Sequence, residues 1–258
     1  MLKQAIDFTI YFFSNPSLLG ISLAVLFGAV WLTVYRPPIF RNYWLWAVFA
    51  GGAIAAPIGI FLQEFLVKPE LWKLARVIWS LETLNDWSLV ASIPGLFLQG
   101  LVREGSKFVP VVVCWLCLKR EINPRLGLAI GAIAGAGFGI LEAQWTLNYI
   151  FHSGWVWEYV QKSGVFMAFA GFWETFFILG YNIAAGALAG WGLGRGWGWQ
   201  FYLFAAVAYM ILMCSPTLAE GHLIEDLQVE FVIAAWSLLL TGILLWMRGH
   251  ENKEKEIS

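Results

Sequence analysis

The sequence predicts an all-α protein: a polytopic membrane bundle of about seven transmembrane helices plus one interfacial amphipathic helix. Hydrophobic residues make up 60% of the 258-residue chain and charged residues only 13%, whereas soluble domains carry about 25% charged residues. Seven segments reach or approach the roughly 20 apolar residues that a helix needs to cross a bilayer. Many of the 16 tryptophans stand where these segments end, which is typical of the membrane–water interface.

The apolar segments follow one another with short connections, so no separate soluble domain fits between them. We predict a single integral membrane domain over residues 1–248 and a charged cytoplasmic tail over residues 249–258. No small-residue cleavage site follows the first apolar run, so we expect no removable signal peptide. The predicted spans are residues 17–35, 43–66, 92–118, 126–151, 165–193, 199–215 and 228–247.

The connection after the second span has a helical pattern of its own. Pro69-Glu70 precedes the apolar residues Leu71, Leu74, Ile78 and Leu81. Their i, i+3, i+7, i+10 spacing places them on one face of a helix, with charged residues between them. The helix either lies in the membrane interface or packs on the bundle, and the pattern does not separate these two readings.

Basic residues are distributed unevenly between the two sets of connections, which predicts an orientation. One side carries most of them, and on this basis we expect the N-terminus outside and the C-terminus in the cytoplasm of a cell (plasma) membrane. The net charge of −1 gives no basic field of the kind that binds nucleic acid. The residues that define the cytoplasmic side are Arg36, Arg41, Lys119, Arg120, Arg125, Arg195 and Arg248.

Glycines recur every four residues in the fourth and fifth spans. Small residues at this spacing form a flat helix face, on which another helix can approach closely. We therefore expect the fourth span to be a central, tightly packed helix. Cysteines carry no comparable signal, and we interpret Cys114, Cys117 and Cys214 as small packing residues. The repeated glycines are Gly127, Gly131, Gly135 and Gly139, and then Gly186, Gly190 and Gly194.

Three glutamates, Glu104, Glu142 and Glu174, lie inside apolar spans, where an ionisable residue is a functional-site hypothesis by default. Counted from Pro94, Phe151 and Val165, near the outer ends of their spans, the three glutamates lie ten, nine and nine residues inside, which is about 14–15 Å at the rise of an α-helix. His222 and Asp226 follow the sixth span on the same side. The sequence thus predicts that these groups share one level in the outer half of the bilayer.

The neighbours of these residues permit either chemistry or structure. Lys107 is three residues after Glu104, on the same helix face, so the two can form a structural ion pair. His222 and Asp226 stand at i, i+4 and can face one point. Carboxylates and a histidine are ligands that zinc accepts, and bound zinc turns water into a nucleophile near neutral pH. A metal-free site, in which a glutamate activates water directly, stays equally open.

The motifs resemble those of the PrsW and YhfC intramembrane metalloproteases, which belong with the CAAX prenyl protease superfamily. The first family motif is E-E-x-x-K/R, and here Glu104 and Lys107 match while Arg103 replaces the first glutamate. The second matches at Gly137-Phe138-Gly139 and Glu142. The resemblance covers about residues 100–190 and extends loosely to 230.

Two further motifs match in part. Glu174 fits the third motif, with Asn182 where the family has a histidine, and the segment from His222 to Asp226 is similar to a late H-x-x-x-N/D element. The resemblance implies a peptidase that hydrolyses membrane-associated proteins or peptides near the outer leaflet.

In that peptidase the catalytic residues would be Glu104, Lys107, Glu142 and His222. Glu104 would be the base, held by Lys107, and Glu142 and His222 would be the ligands of a metal, for which zinc is the candidate. The supporting residues would be Arg103, Glu174, Asn182 and Asp226.

The same superfamily contains a non-catalytic branch, the anterior-pharynx-defective scaffold subunit of γ-secretase. The second hypothesis is therefore a catalytically inactive member that acts as a membrane scaffold or as the partner-binding subunit of a membrane complex. A third reading is a transporter-like or lipid-modifying protein, in which the carboxylates relay protons or cations.

Overall fold

The computed structural model describes residues 16–80, 88–119, 121–153 and 155–257, and a few isolated positions before residue 16. These residues form helices and connections without a strand. Six of the described helices are long and apolar enough to cross a membrane. The predicted all-α membrane bundle is confirmed.

Each of the seven predicted spans coincides with one long helix. The fourth helix has 30 residues, but charged residues interrupt its apolar run, and it is not among the six apolar helices. The helices are α1 (Leu18–Tyr35), α2 (Leu45–Phe61), α3 (Lys68–Ile78), α4 (Ser88–Cys117), α5 (Pro124–His152), α6 (Trp157–Ser163), α7 (Val165–Gly194), α8 (Gly198–Glu220) and α9 (Asp226–Ile257).

The helices begin where the sequence supplies caps. The Ser17 side chain accepts a hydrogen bond from the Gly20 N–H at the start of α1. Asn123 caps α5 by accepting from the Leu126 N–H at 2.9 Å, directly before Pro124. These side chains satisfy N–H groups that have no partner within the helix.

The contact between α5 and α7 forms the centre of the bundle. A Cβ atom added at Gly131 would lie 2.0 Å from the carbonyl oxygen of Gly186, and one at Gly127 would lie 2.1 Å from that of Gly190. Only glycine allows the two backbones to come this close. The predicted central position of the glycine-rich helix is confirmed, since α5 is buried continuously from Gly127 to Gly139.

Tryptophan side chains join neighbouring helices of the bundle through backbone carbonyls. The Trp31 indole N–H of α1 donates to the carbonyl oxygen of Phe176 in α7 at 2.9 Å. The Trp236 indole N–H of α9 donates to the carbonyl oxygen of Ala208 in α8, also at 2.9 Å. A buried indole needs such an acceptor, so these bonds fix how α1 and α9 lie on the bundle.

The predicted amphipathic helix is present as α3, but it is not a separate element. A π-helical turn, Leu62–Val67, joins it to α2 without a break. Leu74 and Val77 are exposed, as expected of an interfacial helix, whereas the Leu71 side chain lies against Gly95 of α4, as expected of a packed one. Leu81, the last residue of the predicted face, lies outside the described residues.

The last helix includes most of the residues predicted to form the charged tail. Helix α9 continues to Ile257, so the predicted boundary at residue 248 falls inside a helix rather than at its end.

All three cysteines are free thiols. Cys114 packs with Val111 and Ile122 in an apolar cluster, as expected of a packing residue.

We predict that Gly131→Ala destabilises the protein although alanine favours helices by about 1 kcal/mol over glycine. The added methyl must push α5 away from the Gly186 carbonyl, and overpacking of this kind costs about 1–3 kcal/mol. The measurement is thermal unfolding in detergent. The control is Gly242→Ala in α9, where an added Cβ meets no atom within 4 Å; this change should leave Tm unchanged or raise it. Equal Tm values for the two variants would contradict the close α5–α7 contact.

Candidate functional site

Three helices contribute to a buried group of charged and polar side chains. Helix α4 supplies Arg103, Glu104 and Lys107, which lie on neighbouring turns of one face because residues three and four apart are adjacent on a helix. Helix α5 supplies Glu142, and α7 supplies Asn182. Glu104 is 3% exposed, Lys107 1% and Asn182 0%, so these three are enclosed by the bundle, whereas Glu142 is only partly buried. We call these five residues the charge network.

The five side chains form one continuous chain of hydrogen bonds. The Lys107 ammonium donates to Glu104 Oε1 at 2.5 Å and to Asn182 Oδ1 at 2.9 Å. The Asn182 amide then donates to Glu142 Oε2 at 2.8 Å. The Arg103 guanidinium donates to the other oxygen of the same carboxylate, Glu142 Oε1. Asn182 thus links the two ion pairs, since it accepts from one cation and donates to the carboxylate of the other pair.

Aromatic rings surround the two cations. The Arg103 guanidinium lies 5.1 Å from the ring centre of Tyr209 and 5.3 Å from that of Phe138. The Lys107 ammonium lies 5.2 Å from the Tyr181 ring and 5.4 Å from Phe138. Ring faces attract cations, and they do so more strongly where water is excluded. The rings therefore stabilise positive charge on both partners of the carboxylates.

The close α5–α7 contact determines the position of Asn182. A Cβ atom at Gly135 would lie 2.3 Å from the Asn182 carbonyl oxygen, and one at Gly139 would lie 3.2 Å from the Asn182 Cβ atom. The glycine face thus continues up to the level of Glu142, one turn further along α5. This is how the repeated glycines, which are structural in themselves, bring the amide of α7 against the carboxylate of α5.

A second polar contact lies beside the charge network. The Gln63 amide, in the π-helical turn, donates to Gln99 Oε1 at 3.1 Å and to the Tyr209 hydroxyl at 3.2 Å. The Tyr181 hydroxyl lies 3.1 Å from the Ala205 carbonyl oxygen and 3.4 Å from Glu104 Oε1. Gln63, Tyr181 and Tyr209 were not among the site residues predicted from the sequence. Gln63 carried a usable signal, because it is a polar residue inside an apolar span.

The remaining predicted residues lie apart from the charge network. Glu174 is half-buried on α7, two turns before Asn182, with Glu142 as its charged neighbour. His222 is exposed, in the turn between α8 and α9, where its N–H bonds to the Ala219 carbonyl. Asp226 is the first residue of α9. The expected helical i, i+4 relation of His222 and Asp226 is wrong, because the backbone at His222 is left-handed, with φ of 55°.

The donor set does not fit the zinc site expected at Glu142 and His222. Glu142 uses one oxygen for Arg103 and the other for Asn182, and His222 lies in the exposed turn. The described residues contain no group of three His, Cys, Asp or Glu side chains placed to hold one metal ion. The positive charge that a metal would bring to Glu142 is supplied by Arg103.

No family model, curated protein or solved structure matches this chain. The resemblance to the PrsW and YhfC families therefore stays a prediction that depends on the quoted motifs alone.

We predict strong coupling between Arg103 and Glu142. Glu142→Gln leaves a buried guanidinium without its carboxylate, and removal of one partner of a buried pair costs about 3–5 kcal/mol. The double variant Arg103→Gln/Glu142→Gln removes both charges and should recover about half of that loss or more. The measurement is a double-mutant cycle of unfolding free energies, by SDS titration in mixed micelles.

The matched control for this cycle is the exposed pair of Glu158 and Lys162, whose charged atoms are 2.7 Å apart. Exposed pairs contribute about 0–1 kcal/mol, so this cycle should show little coupling. Additive losses at Arg103 and Glu142 would show that the two charges act independently, contrary to the network.

Proposed function

We propose that the protein is a membrane scaffold or partner-binding subunit, in which the charge network holds α4, α5 and α7 in one arrangement. The observation that carries this proposal is the ion pair between Arg103 and Glu142. An arginine stands where the resembling peptidases have a glutamate, and its guanidinium binds the carboxylate that a metal or an attacking water would need.

The other positions of the peptidase motifs are also occupied by side chains that bond to one another. Lys107 and Glu104 neutralise each other, and Asn182, in place of a histidine, connects that pair to Glu142. Two carboxylates and two cations leave the network without net charge, which is how intramembrane charges are usually accommodated. Buried ion pairs are weak sources of stability, and their best-attested use is to select one packing arrangement. Such a network suits a protein that presents a fixed surface to a membrane partner.

The orientation belongs to the same proposal. We place the N-terminus outside and the C-terminus in the cytoplasm of the plasma membrane, on the basis of the basic connections. The charge network then lies in the half of the bilayer nearer the outside, at the level of Glu142 in α5.

The peptidase is our second proposal, and one observation favours it. Glu104 and Glu142 belong to a single hydrogen-bonded chain, so two carboxylates of the family motifs do converge. In a metal-free mechanism Glu104, held in place by Lys107, would take a proton from the water that attacks the peptide carbonyl carbon. It would give that proton to the leaving amine as the C–N bond breaks. Because Glu104 is 3% exposed, substrate and water would reach it only after α4 separates from α7.

A comparison of cleavage products separates the two proposals. The protein is reconstituted in liposomes with a library of membrane-spanning peptides, and new peptide termini are identified by mass spectrometry. We expect the same termini from wild type, Glu104→Gln and Glu142→Gln, because the scaffold hydrolyses nothing. Glu158→Gln is the control for the substitution itself. Termini that appear with wild type and with Glu158→Gln, but vanish in both network variants, would replace the scaffold with the peptidase.

A further inference from the structure

A second acidic group lies outside the charge network, where α7 meets α9. It comprises Glu174 of α7 with Asp226 and Glu230 of α9, and Glu230 was not among the site residues predicted from the sequence. The Trp173 indole N–H donates to the Glu230 carbonyl oxygen at 3.3 Å, which fixes the two helices to each other at this point. Glu230 is 9% exposed, and its Oε2 atom is buried without a hydrogen-bond partner.

Among the residues that the structure describes, the charged neighbours of Glu174 and Glu230 are acidic. Glu174 and Asp226 act on Glu230, and Glu142 acts on Glu174. No salt bridge joins Glu174, Asp226 or Glu230 to a cation among the residues that the structure describes. The charge of Glu142 is already compensated by Arg103. Within the described part of the chain, the central carboxylates are thus neutralised, whereas the pair of Glu174 and Glu230 has no salt-bridged cation.

The position of the pair suits a partner within the membrane. Glu230 lies four residues into α9 and Glu174 nine residues into α7, or about 6 Å and 14 Å from the starts of these helices. Both are inside helices apolar enough to span a bilayer, where a carboxylate is costly without a partner. Glu174 is half-buried and therefore reachable, and the neighbouring rings of Phe166, Trp173 and Phe231 are exposed.

We propose that Glu174 and Glu230 form a docking site for a membrane-spanning helix that carries a lysine or arginine at their depth. The long basic side chain would reach between α7 and α9 to the two carboxylates and supply the missing donor to Glu230 Oε2. The exposed rings would contact the apolar surface of the same helix. This inference rests on the proposed function, because it names the chemistry of the partner that the scaffold binds.

The test uses the full protein in nanodiscs and a fluorescent peptide of about 20 leucines and alanines with one central lysine. The control peptide has leucine in place of the lysine. Interhelical polar contacts in membranes contribute up to about tenfold in affinity, so we expect the lysine peptide to bind about tenfold more tightly by energy transfer. Glu174→Gln/Glu230→Gln should abolish the difference, and the matched variant Glu158→Gln should keep it.

Equal binding of the two peptides to wild type would overturn the docking site, and this comparison needs no variant to fold. A lysine preference that persists in a folded Glu174→Gln/Glu230→Gln variant would overturn it as well. Mass spectrometry of the recovered peptide distinguishes failure of the docking site from failure of the scaffold. Cleaved peptide would contradict the scaffold, whereas intact peptide without lysine preference would contradict the docking site alone.

Discussion

The backbone contact between α5 and α7 is the constraint on which the rest of the structure depends. At Gly131 and Gly186 the helices approach so closely that a single methyl group would meet a carbonyl oxygen at 2.0 Å. In a membrane, apolar burial gives little drive for helices to associate, and close van der Waals packing takes its place. The same contact brings Asn182 against Glu142. The polar site is therefore a consequence of the packing, because the amide reaches the carboxylate only at this helix separation.

The charge network in turn selects one arrangement among those that the smooth helix faces permit. Glycine-rich surfaces are flat, and flat surfaces can slide or rotate against each other at little cost. A shift of α5 against α7 by one turn would separate Asn182 from Glu142 and leave buried polar groups with fewer partners, which is strongly unfavourable in a medium of low dielectric constant. Packing supplies the attraction between α5 and α7, and the hydrogen-bonded charges supply the register.

The sequence predicted the helices well because membrane spans depend on length and hydrophobicity, which are properties of single segments. It also predicted that Glu104 and Glu142 lie at one level of the bundle, since the level follows from counting residues along a helix. It did not predict the pairing of Arg103 with Glu142, because pairing depends on the rotation of each helix about its axis. The backbone turn at His222 was missed for a similar reason: a left-handed residue other than glycine leaves no clear pattern in sequence.

The carboxylates of the charge network are paired with cations, whereas Glu174 and Glu230 are not paired with any described cation. The positions of the basic residues in the sequence explain this difference. In α4 the cations Arg103 and Lys107 are encoded within one turn of Glu104, so folding alone brings compensation to the centre of the bundle. The spans that carry Glu174 and Glu230 supply no cation close to either residue, and folding adds none among the described residues. A carboxylate pair at this apolar, aromatic-rimmed helix junction costs folding free energy, and no cation of the described residues offsets that cost. A basic residue on a partner helix would offset this cost, and this is the physical reason to expect a contact made outside the chain.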